Sequence, residues 1–370
     1  MRIIHFSTAR TWRGGEQQIA YLVGELQNEP NIEQWIFCCK GSAMEAYCTK
    51  QGLRFVSFRK FFSFNLLVSW QFARFCRQYA IDIAHLHDPH AHNFAVIAAD
   101  LFGNASVPLI LSRRVDFPLR KNAYTLYKYH HRSVERILCV SEAIKDIMMQ
   151  DFRFPEKLRR VYSGVDINRF ASKSAADTSA LRQEYGVSEH RVLIGNTAAL
   201  AAHKGYDTFI EVARLLTAWG IDAHFFIIGS GNAAPYREQI ERYGLNERFT
   251  ITGFRNDIDM VLPQLDVFLM PSRTEGLGTS VIDAFAAGVV VVASDVGGIP
   301  ELVIDNETGL LAPVGDADAF AHRVAYLLQN PTEAERLCKS ARTRAMLFDK
   351  KHTAQQTLKE YRAVLAKTNR

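Results

Sequence analysis

Pro271-Ser-Arg-Thr-Glu-Gly-Leu-Gly-Thr-Ser-Val-Ile-Asp-Ala-Phe-Ala-Ala-Gly288, with Val289-Val-Val-Val-Ala293 directly behind it, reads as a loop and a helix set between two buried strands. The upstream strand is Asp266-Val-Phe-Leu-Met270, and the glycine loop runs from Glu275 through Gly276 and Leu277 to Gly278. Thr279 or Ser280 is placed to cap the helix, which Gly288 ends. Glycines let backbone N–H groups come close to a ligand, the helix start adds the positive end of its dipole, and the two hydroxyls add donors. Such a nest suits a diphosphate. Asp283 falls four residues after Thr279, on the same face of the first turns, where a carboxylate accepts hydrogen bonds from sugar hydroxyls. Together these features point to a nucleotide sugar; the loop taken alone also fits an ordinary strand-to-helix turn of a doubly wound sheet.

Outward from this stretch, apolar strands alternate with amphipathic helices, the pattern of parallel sheets covered by helices on both faces. The spacing predicts two such sheets. In the first, Ile3 to Phe6 leads through Gly14-Gly15 into a helix with Ile19, Leu22, Val23 and Leu26 at helical spacing. Strands at 36–39, 83–86, 109–111 and 137–140 follow. The second sheet takes strands at 192–194, 224–228, 249–251, 267–270 and 289–293. A joint near Asp166 separates them, and the small polar run Ala171-Ser-Lys-Ser-Ala-Ala-Asp-Thr-Ser179 reads as a surface connection. Ligands of such sheets lie outside the carboxyl ends of the strands, so a cleft shared by the two is the expected site.

A chain of 370 residues, 48% of them hydrophobic, is long enough for two domains that each bury a core. No run approaches the ~20 apolar residues that span a bilayer. Met1-Arg-Ile-Ile-His-Phe6 reads as a first strand rather than a signal peptide, and a cytoplasmic location is expected. Six cysteines without CxxC spacing predict reduced thiols. The formal charge of +5 is modest for this length, so placement matters more than the total. Arg113-Arg114, Arg120-Lys121, Lys128, Arg132 and Arg136, with Arg59-Lys60-Phe61-Phe62, form a basic and aromatic set suited either to peripheral contact with an anionic membrane or to solvated helix faces. No recognition motif accompanies them, so nucleic acid is not an expected partner.

Glu275 and Asp283, seven residues apart in the interval between them, resemble the acidic pair of the retaining GT-B glycosyltransferases of family 4. Other segments resemble that family in the same order: Phe6 to Glu16, Ser163-Gly-Val-Asp166, His203-Lys-Gly205, Gly229-Ser-Gly231, Thr252-Gly-Phe-Arg255, Gly297-Gly-Ile-Pro-Glu301 and Thr308-Gly-Leu-Leu311. The resemblance implies an α/β fold of two Rossmann-like domains facing across a cleft. The acceptor-side domain would be residues 1–166 completed by a C-terminal helix at 352–370, and the nucleotide-sugar domain residues 167–351. It also implies that Lys204 faces the leaving diphosphate, that Glu275 binds sugar hydroxyls, and that Gly15, Gly229, Gly231, Phe254, Arg255, Arg273 and the 276–280 nest with Asp283 receive the donor. The catalytic set it implies is Glu275, Lys204, His87 and Arg113, with Arg113 holding either the acceptor or the diphosphate, and the acceptor side takes Gly14, Glu16, Arg114 and Asp116.

Three departures stand out. Where relatives carry an arginine shortly before the phosphate lysine, this chain reads Thr197-Ala-Ala-Leu200, so Arg255 or Arg273 is the expected substitute. Arg113 stands where many members have a histidine, and Asp283 where most have glutamate. The run His85-Leu-His-Asp-Pro-His-Ala-His92 has the composition of a zinc site, but the family ends this strand in His-x-His without metal, and no metal is expected. There His87 is the preferred acceptor-side residue, His85 reads as a core residue, and His90 and His92 as exposed. The implied chemistry moves a hexose-type sugar from a UDP- or GDP-linked donor to a glycan or lipid-linked acceptor of cell-surface polysaccharide or lipopolysaccharide, with retention and without a cofactor. A nucleotide-sugar epimerase and a non-catalytic binding protein are the alternatives.

Overall fold

The computed structural model describes residues 1–60, 65–170 and 180–368. Phe61-Phe62 of the basic and aromatic stretch, the Ala171–Ser179 connection and the last two residues of the expected C-terminal helix lie outside the described residues.

The chain divides into two compact units, Met1–Gly164 with the segment from Lys350, and Val165–Asp349. In the first, strands β1 (Arg2–Phe6), β2 (Glu33–Cys39), β3 (Phe55–Phe58), β4 (Ile83–Leu86), β5 (Leu109–Arg113), β6 (Val134–Cys139) and β7 (Leu158–Arg160) form one sheet in the order β3-β2-β1-β4-β5-β6-β7. In the second, β8 (Val192–Thr197), β9 (Ala223–Ile228), β10 (Phe249–Gly253), β11 (Val267–Met270), β12 (Val290–Ser294) and β13 (Leu310–Ala312) take the order β10-β9-β8-β11-β12-β13. Every pairing within the two sheets is parallel.

Strand composition explains the arrangement. All six residues of β9 and all five of β12 are buried, as expected where helices cover both faces of a parallel sheet. The edge strands β3, β7 and β13 lack the fully buried apolar run that marks the four-residue strands β4 and β11: β3 is mostly half-buried, β7 carries Arg159 and Arg160, and β13 has three residues. In the second core Tyr206, Phe209, Phe225 and Phe320 are fully buried. Each such side chain contributes ~1.5–3 kcal/mol relative to exposure.

The helix Lys350–Thr368 belongs to the first unit: Leu358, Tyr361 and Val364 enter a core with Ile3, Leu22, Leu26 and Ile83. At the joint the boundary falls slightly before the expected one. The Val165 N–H donates to the Phe348 carbonyl at 3.0 Å and Val165 bridges Asp349, which ties these residues to the second unit. Gly164 sits against the start of the last helix so closely that a Cβ would lie 2.8 Å from the Lys350 backbone.

Candidate active site

In the second unit, five loops leave the carboxyl ends of parallel strands β8 to β12 and so share one edge of the sheet. The turn Ala202–Lys204 after β8 and the loop after β11 are locked together. Arg273 N donates to the His203 carbonyl at 2.7 Å. Gly205, in the left-handed region at φ 67°, approaches so near that a Cβ would lie 1.9 Å from the Pro271 carbonyl oxygen. This junction brings Lys204 Nζ to 2.5 Å from Glu275 Oε1, with the side chains 19% and 10% exposed. Ser272 Oγ donates to the same oxygen at 3.0 Å. From the next loop, Gly298 N donates to the Glu275 carbonyl at 3.1 Å, fixing the glutamate backbone.

Beyond Glu275 the helix Thr279–Ala287 begins differently from the sequence expectation. Its cap is Gly278, left-handed at φ 88°, and no side chain among the described residues caps the helix. Thr279 and Ser280 therefore lie inside the first turn rather than ahead of it, and Ser280 Oγ reaches Met270 Sδ at 3.7 Å. The first-turn amides are thus left without a side-chain acceptor beside Gly276 and the buried Leu277, the arrangement an anion satisfies.

Asp283 has a protein partner that local sequence did not show. Arg169, in the turn Ile167–Phe170, places Nη2 2.8 Å from Asp283 Oδ1, an ion pair off the line of a directed hydrogen bond. Burial raises the Asp283 carboxyl to about 6, against the lowering effect of Arg169. Arg255 is not a spare phosphate cation. It pairs with Asp257 at 2.7 Å and with Glu184 at 2.8 Å, while neighbouring Phe254 is exposed. Arg273 pairs with Asp207 and keeps half its side chain in solvent. Gly229 and Gly231 lie against the Ala198–Leu200 backbone, where Leu200 N donates to the Ser230 carbonyl at 2.9 Å. A Cβ on Gly229 would stand 1.9 Å from the Ala198 oxygen, so loop-to-loop contact already accounts for that glycine.

In the first unit the corresponding edge carries the ends of β1, β4 and β5. Arg113 closes β5 and is 6% exposed; its Nη1 donates to Tyr129 Oη at 3.1 Å, its Nη2 donates to the Phe117 carbonyl, and Phe117 and Tyr129 face the guanidinium. These contacts hold the guanidinium within the first unit, and its buried Nε has no partner among the described residues. Arg114, the next residue, takes the other direction and holds His87 with both terminal nitrogens, to the His87 carbonyl at 3.1 Å and to Nδ1 at 3.3 Å.

This fixes the histidine tautomers. Arginine only donates, so His87 Nδ1 accepts and its proton sits on Nε2, which faces His5 Nδ1 at 3.2 Å. The His5 proton then sits on Nε2 and reaches Gln34 Oε1 at 3.1 Å. His85 joins Tyr361 Oη at 2.5 Å and Ser112 Oγ at 2.8 Å. Burial pushes all three imidazoles down, His5 to about 4, so they stand neutral. Their nitrogens are close enough to hold a metal ion. Yet all six have hydrogen-bond partners and a guanidinium touches one of them, which suits a polar network better than a cation. His87 consequently offers no free nitrogen to an acceptor.

His92 is buried and bonded to the Lys128 carbonyl at 2.9 Å, not exposed, because it lies on the inner face of the helix Pro89–Leu101. Asp88 caps that helix through His90 N and Ala91 N. Gly14 and Gly15 open the helix Gly14–Leu26; a Cβ on either would meet nothing within 4 Å. Glu16 accepts from Arg13 N at 3.1 Å in a capping box. Asp116 is half-buried on the loop after β5. Of the basic set, Lys128 is buried on Asn93, Arg136 pairs with Glu360 at 3.0 Å and Lys60 is half-buried, while Arg59, Arg120, Lys121 and Arg132 are exposed. The cysteines are all free.

Two family descriptions match the chain: Glycosyltransferase Family 4 over residues 12–169 and Glycosyl transferases group 1 over residues 177–344. Between them they take in nearly the whole sequence, and the chain belongs to this glycosyltransferase family. Alpha-D-kanosaminyltransferase of Streptomyces kanamyceticus is 31% identical over 63% of this chain and 61% of its own length. The UDP-Gal:alpha-D-GlcNAc-diphosphoundecaprenol alpha-1,3-galactosyltransferase of Escherichia coli is 27% identical over 65% of this chain and 64% of its own. The chain thus spans under two thirds of the length of either relative. In fold it matches HepE of Anabaena, solved with UDP and glucose, with TM-score 0.85, 20% identity and coverage of 98% and 100%. The fold is GT-B.

Proposed function

We propose that the protein transfers a hexose-type sugar from a UDP- or GDP-linked donor to a glycan or lipid-linked acceptor of cell-surface polysaccharide, with retention and without a divalent ion. The observation that carries this is the Lys204–Glu275 contact beside an uncapped helix start. An ammonium and first-turn amides together stabilise charge developing on a departing diphosphate, and in this reading they fill the role otherwise given to a metal. Arg255 and Arg273 are turned onto Glu184, Asp257 and Asp207, whereas the carboxylate that holds Lys204 is Glu275 beside the open helix start, so among the cations named from sequence Lys204 is the one we assign to that task. Glu275, held by Lys204 and Ser272, keeps acceptor capacity for sugar hydroxyls, and a donor phosphate oxygen takes the acceptor's proton.

Two likenesses support the donor and acceptor classes: the E. coli relative's name gives a UDP-linked sugar and a diphosphoundecaprenol acceptor, and HepE was solved with UDP. On the acceptor side we assign Arg114 to substrate, since its terminal nitrogens, like those of Arg113, keep N–H donors beyond the ones they spend inside the unit. No helix among the described residues is long and apolar enough to cross a membrane. Any place at the inner face of a membrane would rest on exposed residues such as Phe117, Arg120, Tyr127 and Arg132. The test is a thermal-shift screen of UDP- and GDP-sugars, then product analysis by NMR with and without EDTA. A retained anomeric configuration and EDTA-insensitive turnover are expected. Strict metal dependence would overturn the leaving-group assignment, and isomerised donor without acceptor would favour an epimerase.

A further inference from the structure

A cavity of about 450 Å³ opens in the first unit where β1, β3 and β4 end, lined by Arg10, Arg13 and Lys60 together with Thr8, Thr11, Asp88 and His90. Three cations face one carboxylate, so the net charge of the cavity is positive. The single carboxylate, Asp88, is already spent within the chain: Oδ2 accepts from Thr8 N at 2.5 Å, and Oδ1 accepts from Thr8 Oγ1 at 2.8 Å and from His90 N and Ala91 N at 3.0 and 2.9 Å. The three cations have no ion-pair partner among the described residues, whereas Arg136, Arg255 and Arg273 are each paired. Arg10 Nη2 donates to the Lys60 carbonyl at 3.0 Å and Lys60 Nζ donates to Thr8 Oγ1 at 3.2 Å, so backbone and hydroxyl contacts hold both without neutralising them. A buried His90 Nδ1 has no partner among the described residues.

Like charges held around one cavity repel, and an anion that enters relieves the repulsion while accepting charge-assisted hydrogen bonds. We infer that this pocket binds an anionic substituent, phosphate or carboxylate, carried by the sugar acceptor. This rests on the glycosyl-transfer reading and deepens it: the acceptor is anionic. The guanidinium of Arg10 supplies paired donors for a planar or tetrahedral oxyanion, and Lys60 supplies an adjustable single charge.

The test uses isothermal titration calorimetry on the full chain and its Arg10→Gln/Lys60→Gln variant, with Arg54→Gln as a control for lost charge. Probes are glucose 6-phosphate added to UDP-saturated protein, and vesicles of phosphatidylglycerol against phosphatidylcholine. The double variant is expected to lose about tenfold or more in affinity for an anionic probe, with UDP affinity changed less than about twofold. Loss confined to glucose 6-phosphate identifies a soluble anionic acceptor, and loss confined to phosphatidylglycerol vesicles a lipid-borne anion. If the variant binds both probes as the parent does, or if neither probe binds the parent, the inference falls. It falls too if UDP weakens in parallel, because the cations then serve the donor diphosphate. Failure of every nucleotide and nucleotide sugar to bind the parent protein would instead remove the glycosyl-transfer reading beneath it.

Discussion

Replacing Lys204 by Met separates what the Lys204–Glu275 pair does for folding from what it does for ligand. Methionine keeps the aliphatic stem and removes the ammonium 2.5 Å from Glu275 Oε1. The stranded carboxylate is 10% exposed and retains one hydrogen bond, from Ser272 Oγ at 3.0 Å. Removing one partner of a fully buried pair costs about 3–5 kcal/mol; partial exposure and the serine bond place this site lower, at ~2–3 kcal/mol. Adding Glu275→Gln removes the unpaired charge, so the double variant should recover at least ~1 kcal/mol over Lys204→Met alone. UDP affinity behaves differently: it falls about 10- to 100-fold in both variants, since both lack the cation. Urea denaturation followed by circular dichroism reads the first quantity and calorimetric titration with UDP the second. A double variant no more stable than the single would show that the carboxylate was not the source of the loss. Undiminished UDP binding in Lys204→Met would remove the lysine from the diphosphate site.

Further tests reach other parts of the molecule. Asp283 is held at about 6 against an ordinary 3.8, so between those values the folded state binds more protons than the unfolded one and this group lowers stability as pH rises. The penalty is fully present above pH ~6 and amounts to ~3 kcal/mol before any lost pairing with Arg169 is counted; Asp283→Asn should flatten that part of a stability-versus-pH curve, and an unchanged slope would refute the assignment. Gly205→Ala forces a Cβ to 1.9 Å from the Pro271 oxygen at φ 67° and should destabilise by more than ~2 kcal/mol in urea titrations. Gly15→Ala meets no atom within 4 Å, so stability should hold or rise by up to ~1 kcal/mol; a drop in turnover without loss of stability would mark ligand approach at that helix start. Tyr361→Phe removes the hydroxyl from buried His85 and should cost ~1–3 kcal/mol in chemical denaturation, the penalty of an unsatisfied imidazole nitrogen.

Read from sequence alone, the alternation of apolar strands and helices determined the two doubly wound sheets, and glycine loops at strand ends marked where ligand chemistry concentrates. Those signals are local: strand burial, loop glycines and helix starts are set within a few residues, so they survive without the fold. The edges β3, β7 and β13 were missed because β3 is mostly half-buried, β7 is Leu158-Arg-Arg160 and β13 has only three residues, so none shows the fully buried apolar run that marked the four-residue strands β4 and β11. Side-chain partners were decided only by tertiary structure. Arg113 and Arg114 are adjacent in sequence, yet one turns into an aromatic pocket and the other onto His87. Arg255 finds Glu184 71 positions away, and His5 meets His87 82 positions away, a pairing visible in sequence only to a reader who already knew that β1 lies beside β4. Charge and hydrogen-bond satisfaction depend on distances of 3 Å or so between segments far apart in the chain, and only the folded packing sets those distances.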